Sequence, residues 1–370
     1  LILDEAQAVK NPAAKQSQAA RRITAQWRAV LTGTPVENRL RDLWSLFSVT
    51  SPGYLGTLGD FEDEFAGPIE EQRDPEATAR LQALVRPFLL RRLKSDPEVS
   101  PDLPPKIETR ETCTLTREQA TLYQAQVDRM MEELKDADEE VSQAGREGRA
   151  ALVRARFQRN GLVLQTLLRL KQVCDHPALM LGDESSIHGR SGKLERLVEL
   201  LDEVKNSGEK ALVFTQFASF AQRLQPYLSE RLGMEVLFLH GGTPRLRREE
   251  LIRRFQDPGS RAHVFLLSLK AGGVGLNLTA ANHVIHFDRW WNPAVEDQAT
   301  DRAHRIGQRK TVEVRTMVTA GTLEETIDQV LQEKRDLAKS VIGSGEQWLA
   351  ELSTAKLRDL VRLRNAMVEE

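Results

Sequence analysis

Past residue 190 the chain repeats one pattern: a short apolar run, then a stretch in which apolar residues recur at helical spacing. The runs fall at 211–215, 236–240, 263–268, 283–287 and 312–318, and helical stretches at 194–204, 220–231, 245–255 and 295–305 lie between most of them. Strands separated by a helix pair parallel through right-handed crossovers, and a sheet covered on both faces reads as continuous apolar runs rather than alternation. The start of the chain shows the same pattern in miniature. A buried strand end at 1–3 leads through a helical stretch at 17–23 to a strand at 29–31, after which Leu40, Leu43, Trp44 and Phe47 recur at helical spacing. The expected class is α/β, with two sheet-containing lobes.

Between the lobes, from about residue 55 to 190, the character is helical. A Pro-rich stretch at 97–105 marks a crossing, 106–115 alternates as a single strand, and 116–143 and 150–173 are long charged amphipathic helices. The acidic run 132–140 is a solvated helix face, 322–340 is a further helix, and the tail from 346 is expected to be helical and peripheral. With 52 basic and 54 acidic residues the net charge is −2, so no global field draws the chain to nucleic acid and any such binding must be local. Arg245, Arg247, Arg248, Arg253 and Arg254 form one local patch, which is equally a solvated helix face. Two distant cysteines, Cys113 and Cys174, argue against a disulfide framework and fit a reducing cytosol. Cys174, Asp175, His176 and His188 do not make a closed zinc set. No apolar run approaches the roughly 20 residues that span a bilayer, so no membrane partner is expected. Opening on Leu1 in the middle of a strand, the chain looks like a fragment.

Reactive side chains gather at strand ends. Asp4 and Glu5 follow the first strand, at the edge where open α/β sheets bind ligands. One carboxylate there can hold Mg²⁺ while its neighbour orients or deprotonates a water; two solvated carboxylates fit the same residues. Thr32 and Thr34, around Gly33, can bond the acidic pair and a phosphate-sensing water network, or merely satisfy a turn. The segment from Ser268 to Asn277, with Lys270, Gly272, Gly273 and Gly275, can offer backbone N–H groups to a nucleic-acid backbone or a nucleotide's edge. It lacks the GxxxxGK[ST] order of a phosphate loop, which occurs nowhere in the 370 residues. Gln298, Arg302 and Arg305 stand at i, i+4 and i+7, so one helix face carries all three. Two guanidiniums so placed suit a phosphoryl transition state, or pair along the helix with Glu296, Asp297 and Asp301. Trp290 and Trp291 can stack on bases or pack beneath the next helix, and Phe214 and Phe217 read as core.

In this order the segments resemble the motifs of superfamily-two helicases. Asp4-Glu5-Ala6-Gln7 and Leu31-Thr32-Gly33-Thr34-Pro35 look like motifs II and III, and residues 213–217, the Gly-rich segment and 298–308 look like motifs IV, V and VI. QATDRAHRIGQ from Gln298, FLLRRLKSD from Phe88, LKQVCDHP from Leu170 and WNPAVEDQ from Trp291 are similar to strings of the Swi/Snf-like family, and the tail looks most like bacterial and archaeal members.

The resemblance implies two RecA-like lobes binding ATP and Mg²⁺ in the cleft between them. Residues 1–105 would be the C-terminal part of an incomplete first lobe, 106–190 a helical insertion, 191–345 the second lobe and 346–370 the tail. Asp4 would coordinate Mg²⁺, Glu5 would activate water, and Gln7, Thr32 and Thr34 would couple the phosphate site to DNA. Arg302 and Arg305 would act as arginine fingers with Gln298 alongside, and Gly275 and Asn277 would lie near the nucleotide. Thr215, Gln216, His240, Gly241, Gly242, Ser268 and Lys270 would touch the backbone of double-stranded DNA, with little sequence preference. The implied activity is an ATP-driven translocase that remodels nucleoprotein or RNA polymerase complexes, in the cytoplasm. An RNA or strand-separating helicase and a non-catalytic binding module are the alternatives. Because the family places its phosphate loop upstream of Asp4, the fragment by itself is expected to hydrolyse little ATP.

Overall fold

A computed structural model describes residues 1–32, 40–72, 74–90, 92, 94, 100, 102–269, 275–337, 349 and 352–364. The chain divides into two compact units, Leu1–Pro101 with Arg335–Gly345, and Asp102–Lys334 with Glu346–Glu370.

In the first unit β1 (Ile2–Leu3) lies parallel to β2 (Ala29–Val30), joined through α1 (Lys15–Arg22). Their core is small: Ala6, Val9, Ala20, Leu46 and Val49, with Leu3 and Val30 against it. Successive strand residues face opposite ways, so this core covers Leu3 and leaves Ile2 61 % exposed; the opening strand is not the buried one expected. α2 (Leu40–Thr50) turns Leu40, Leu43 and Phe47 toward Phe61, Phe65, Ile69, Leu81 and Val85. These come from the succeeding short helices α3 (Leu58–Phe61), its π-turn Glu62–Ala66, α4 (Gly67–Gln72) and α5 (Pro75–Val85). Asp74 caps α5 by accepting from Glu76 N at 2.8 Å, with Pro75 supplying a preset first turn.

The second unit holds a sheet of six strands, all parallel. Its elements run β3 (Lys106–Cys113), α6 (Arg117–Glu147), α7 (Arg149–Asp175), α8 (Pro177–Leu181), α9 (Gly192–Asn206), β4 (Ala211–Thr215), α10 (Ala218–Leu232), β5 (Glu235–Leu239) and α11 (Arg245–Gln256). There follow β6 (Ala262–Ser268), β7 (His283–His286), α12 (Pro293–Thr300), β8 (Val312–Thr319), α13 (Leu323–Leu337) and α14 (Thr354–Val361). Spatial order is β3-β8-β7-β4-β6-β5. β4 is buried along its whole length, as a central strand covered on both faces must be. One face packs on Leu197, Leu201, Phe220 and Leu224, the other on Leu251, Phe255, Leu278 and Ala299. The strand expected alone at 106–115 is β3, an edge strand of this sheet in register with β8 from Lys106↔Val312 to Cys113↔Thr319.

α6 and α7 form an antiparallel hairpin. Thr116 opens it with a capping box, its Oγ1 accepting from Gln119 N at 3.2 Å while Gln119 Oε1 accepts from Thr116 N at 3.1 Å. Gly148, at φ +126°, makes the turn between the helices. Tyr123, Met130, Leu134, Val163, Leu167 and Leu170 fill the seam together with Leu323 and Ile327 of α13. The tail is not peripheral. Leu357, Leu360 and Val361, spaced to share one helix face, are buried in this seam, and Tyr123 donates its hydroxyl to Val361 O at 3.0 Å.

α9 begins where four elements meet. Ser191 Oγ accepts from Leu194 N at 3.1 Å and donates to Asp175 O at 2.6 Å, and a Cβ on Gly192 would come within 2.3 Å of the Thr114 carbonyl oxygen. Gly192→Ala is therefore expected to lower stability by about 1–3 kcal/mol, as overpacking does. An unchanged urea midpoint would show that the Thr114 backbone yields freely.

At the opposite end of the sheet, where strands begin, the Glu209 carboxylate meets Lys310 Nζ at 2.9 Å and His283 Nε2. Burial pushes its pKa up, but hydrogen bonds from Lys310, Asn282 and His283 more than offset this and hold it at about 2, against 4.5 ordinarily. Since folding depresses this pKa, its stabilising contribution is full above the unfolded value and is lost as pH falls from 4.5 toward 2. Glu209→Gln should flatten the stability–pH curve across that window; acid-unfolding curves of equal slope for both proteins would contradict it.

Candidate functional site

In the first unit the backbone brings the acidic pair beside Leu31 and Thr32. Leu31 N donates to Leu3 O at 2.7 Å and Ala6 N to Leu31 O at 2.9 Å, so Asp4 and Glu5 leave β1 beside Leu31 and Thr32 leaving β2. Asp4 is exposed, and its Oδ1 accepts from Glu5 N at 2.9 Å. Glu5 has φ +50°, the only left-handed non-glycine among the described residues. Such a conformation costs on the order of 1–3 kcal/mol and persists where its surroundings impose it, often at working sites. An exposed carboxylate at the C-terminal end of a parallel strand offers the hard oxygen that Mg²⁺ prefers. Gln7 stands in the 3₁₀ turn Ala6–Val9. Thr34 lies outside the described residues.

In the second unit the residues read as nucleotide-facing come together, though not as expected. α12 ends at Thr300, so Arg302 and Arg305 do not continue the helix that carries Gln298. Pro293 and the Asn292 cap, accepting from Ala294 N at 3.0 Å, start this helix, and a series of tight turns follows it. Those turns are sewn to the segment after the glycine loop: Leu278 N donates to Arg302 O at 2.9 Å, Arg305 Nη1 reaches Leu276 O at 3.5 Å, and Gln308 Nε2 donates to Ala281 O at 2.7 Å. The result groups exposed Gly275, Asn277 and Arg305 with a largely buried Arg302.

The residues read as DNA-facing lie at the C-terminal ends of β4, β5 and β6. Thr215 is fully buried and donates its hydroxyl to Asp288, whose carboxylate also accepts from Gln216 N at 3.0 Å. With no surface, the Thr215 side chain cannot touch DNA; it shapes the turn instead. Ser268 is buried too. Gln216 is half-buried, Gly241 and Gly242 are exposed, and His240 Nδ1 accepts from Gly242 N at 3.2 Å, folding the glycine turn over the ring. Lys270 lies outside the described residues.

Comparison with known proteins divides the chain between residues 179 and 192, further along than the boundary between the compact units at residue 101. Residues 1–179 match the SNF2-related domain and residues 192–307 the helicase conserved C-terminal domain. The chain is 42 % identical to the Sulfolobus solfataricus SWI2/SNF2 ATPase core in complex with dsDNA, over 98 % of its own length and 72 % of that chain, with a TM-score of 0.59. The chain belongs to the SNF2 family. Among curated SNF2 relatives it is 46 % identical to the putative ATP-dependent helicase/translocase YwqA of Bacillus subtilis, over 98 % of its own length and 37 % of that protein. It is 41 % identical to the Zorya protein ZorD of Escherichia coli, over 92 % and 31 %. The SNF2 chain thus spans about a third of the length of these curated relatives.

The SNF2-like strings LKQVCDHP and WNPAVEDQ contribute Asp175 and Glu296 to a buried ionic core. Lys193, Asp175 and Glu324 are all 0 % exposed, with Lys193 Nζ at 2.8 Å from Asp175 Oδ1 and from both Glu324 oxygens. Glu324 also accepts from Thr319 N at 3.0 Å, which fastens the helical hairpin, α9 and α13 to the end of β8. Beside them the buried Arg289 pairs with Glu296 and, at 3.1 Å, with Asp328. Lys171 Nζ lies 4.7 Å from the ring of buried Trp291 and 5.7 Å from that of Trp290. Trp291 therefore packs rather than stacks on bases. Sequence reasoning passed over Lys193 and Asp288; the Ser191-Gly192-Lys193 start of a helix and an acid directly after a buried strand were the available signals.

Proposed function

We propose that the protein is an ATP-driven motor on double-stranded DNA, and that the observation carrying this is the placement of Asp4, Glu5 and Thr32 together at strand ends in a chain sharing 42 % identity with an SWI2/SNF2 ATPase core solved with dsDNA. In this reading Asp4 holds Mg²⁺ with ATP, and the ion supplies charge neutralisation at the phosphate oxygens. Glu5 orients and deprotonates the attacking water. Thr32, with Gln7 and Thr34, passes the state of the phosphate to the DNA-binding elements, while Arg302 and Arg305 neutralise charge developing on the transferred phosphoryl group, with Gln298 beside them. Gly275 and Asn277 face the nucleotide, and Gln216, His240, Gly241, Gly242 and Lys270 hold a DNA backbone. Remodelling of a protein–DNA complex is the work such a cycle would perform. The 370 residues alone, without a GxxxxGK[ST] sequence, are expected to show negligible hydrolysis.

The test is ATP turnover by a full-length protein with duplex DNA, single-stranded DNA or RNA as the stimulant. Strong stimulation by duplex, weakening steeply with salt as phosphate contacts do, is expected. Stimulation by RNA alone would move the protein to the strand-separating or RNA helicases. No turnover at all would favour a non-catalytic binding module.

A further inference from the structure

Helix α7 is apolar on two sides. One side fills the seam of the hairpin, with Val163, Leu167 and Leu170 buried. The other points outward: Val153 is 62 %, Phe157 78 % and Leu168 42 % exposed, and half-buried Leu164, which also packs against the seam core, lies on the same arc. At 100° per residue these four fall within about 60° of one another, a stripe roughly 22 Å long at 1.5 Å per residue. Singly exposed apolar side chains are ordinary, but an aligned row rimmed by charge marks an interaction surface. The charge that α7 itself brings to the rim has one sign. α7 contains no acidic residue before Asp175, and exposed Arg149 and Arg154 stand on either side of the stripe.

We infer that this outward face of α7 is a docking surface for an acidic amphipathic helix of a partner protein. An apolar row at helical spacing, interrupted at Asn160 and Gly161, takes the apolar face of another helix laid along it, and the flanking arginines select carboxylates on that helix's edges. DNA is the poorer fit, because the centre of the stripe offers Phe, Val and Leu where a phosphate backbone needs cations.

Two synthetic 18-residue helices test this, both with leucine at i, i+4, i+7 and i+11, one flanked by glutamate and the other by lysine. Each is titrated against the chain by fluorescence anisotropy. The glutamate-flanked helix should bind, and Phe157→Asp should weaken it about 30-fold, as loss of a central aromatic anchor does. Since Phe157 lies outside the core, the variant's unfolding midpoint should match the wild type. The Arg149→Glu, Arg154→Glu double variant should reverse the preference to the lysine-flanked helix. Equal binding of both helices by the wild type overturns the inference, as does failure of the glutamate-flanked helix to bind. It is also overturned if Phe157→Asp weakens binding of a 20-base-pair duplex as much as it weakens the peptide, which would make this face part of the DNA path.

Discussion

Replacing Lys193 with methionine will destabilise the second unit by about 3–5 kcal/mol, the usual loss when one partner of a buried ion pair is removed. Burial opposes the lysine's charge, but Asp175 and Glu324 more than offset this and push its pKa above the ordinary lysine value. Methionine matches the side chain in length and apolar bulk, so the cavity contribution is small and the cost is that of two buried carboxylates without their cation. The urea midpoint, followed by circular dichroism, measures it. Adding Asp175→Asn to Lys193→Met should recover part of the loss, because one of the two stranded charges is gone; additive effects would mean the residues do not interact. Wild-type stability in Lys193→Met alone would show the ionic cluster to be exchangeable for an apolar one. The cluster's setting suggests what it does. It ties the ends of three helices to one strand end, and any other register of those helices would leave a charge unpaired.

Glu5→Gln in a full-length protein will lower DNA-stimulated turnover by about 10²–10⁴-fold, the range typical for a general base. The amide keeps the size and backbone demands of glutamate, including the left-handed φ of +50°, but it cannot accept a proton. Nucleotide binding, read by equilibrium titration with a fluorescent ATP analogue, should stay within a few-fold. Asp4→Asn is expected to differ, losing Mg²⁺-dependent nucleotide binding as well as turnover. If Glu5→Gln keeps turnover within threefold of wild type, the pair is an ordinary solvated strand end and the proposed chemistry lies elsewhere.

The second sheet was legible because its information is local. Strands covered on both faces are runs such as Ala211–Thr215, and the helices between them show their own period. What could not be read was anything decided by a distant partner. Residues 106–113 look like an isolated strand until β8, roughly two hundred residues on, supplies the other half of the ladder. The tail looks peripheral until Tyr123 and Leu323 provide the wall against which Leu357 and Val361 pack. The site divided in the same way. Asp4, Glu5 and Thr32 could be placed from strand ends alone, whereas a helical spacing put Arg302 and Arg305 on one face and the chain turned after Thr300 instead. Thr215 has the look of a contact residue, and only the buried Asp288 reveals that its hydroxyl is already engaged.

The pairing of β3 with β8 also sets a timetable for a newborn polypeptide. At about 5–20 residues per second, the ribosome needs roughly ten to forty seconds after making the earlier strand before its neighbour emerges. The α6–α7 hairpin, built from contacts close in sequence, is ready within microseconds of leaving the tunnel. Once the arm is made, the earlier strand has a folded helical hairpin attached and nothing beside it for the rest of that interval, and slower translation of the downstream codons would lengthen its exposure to aggregation.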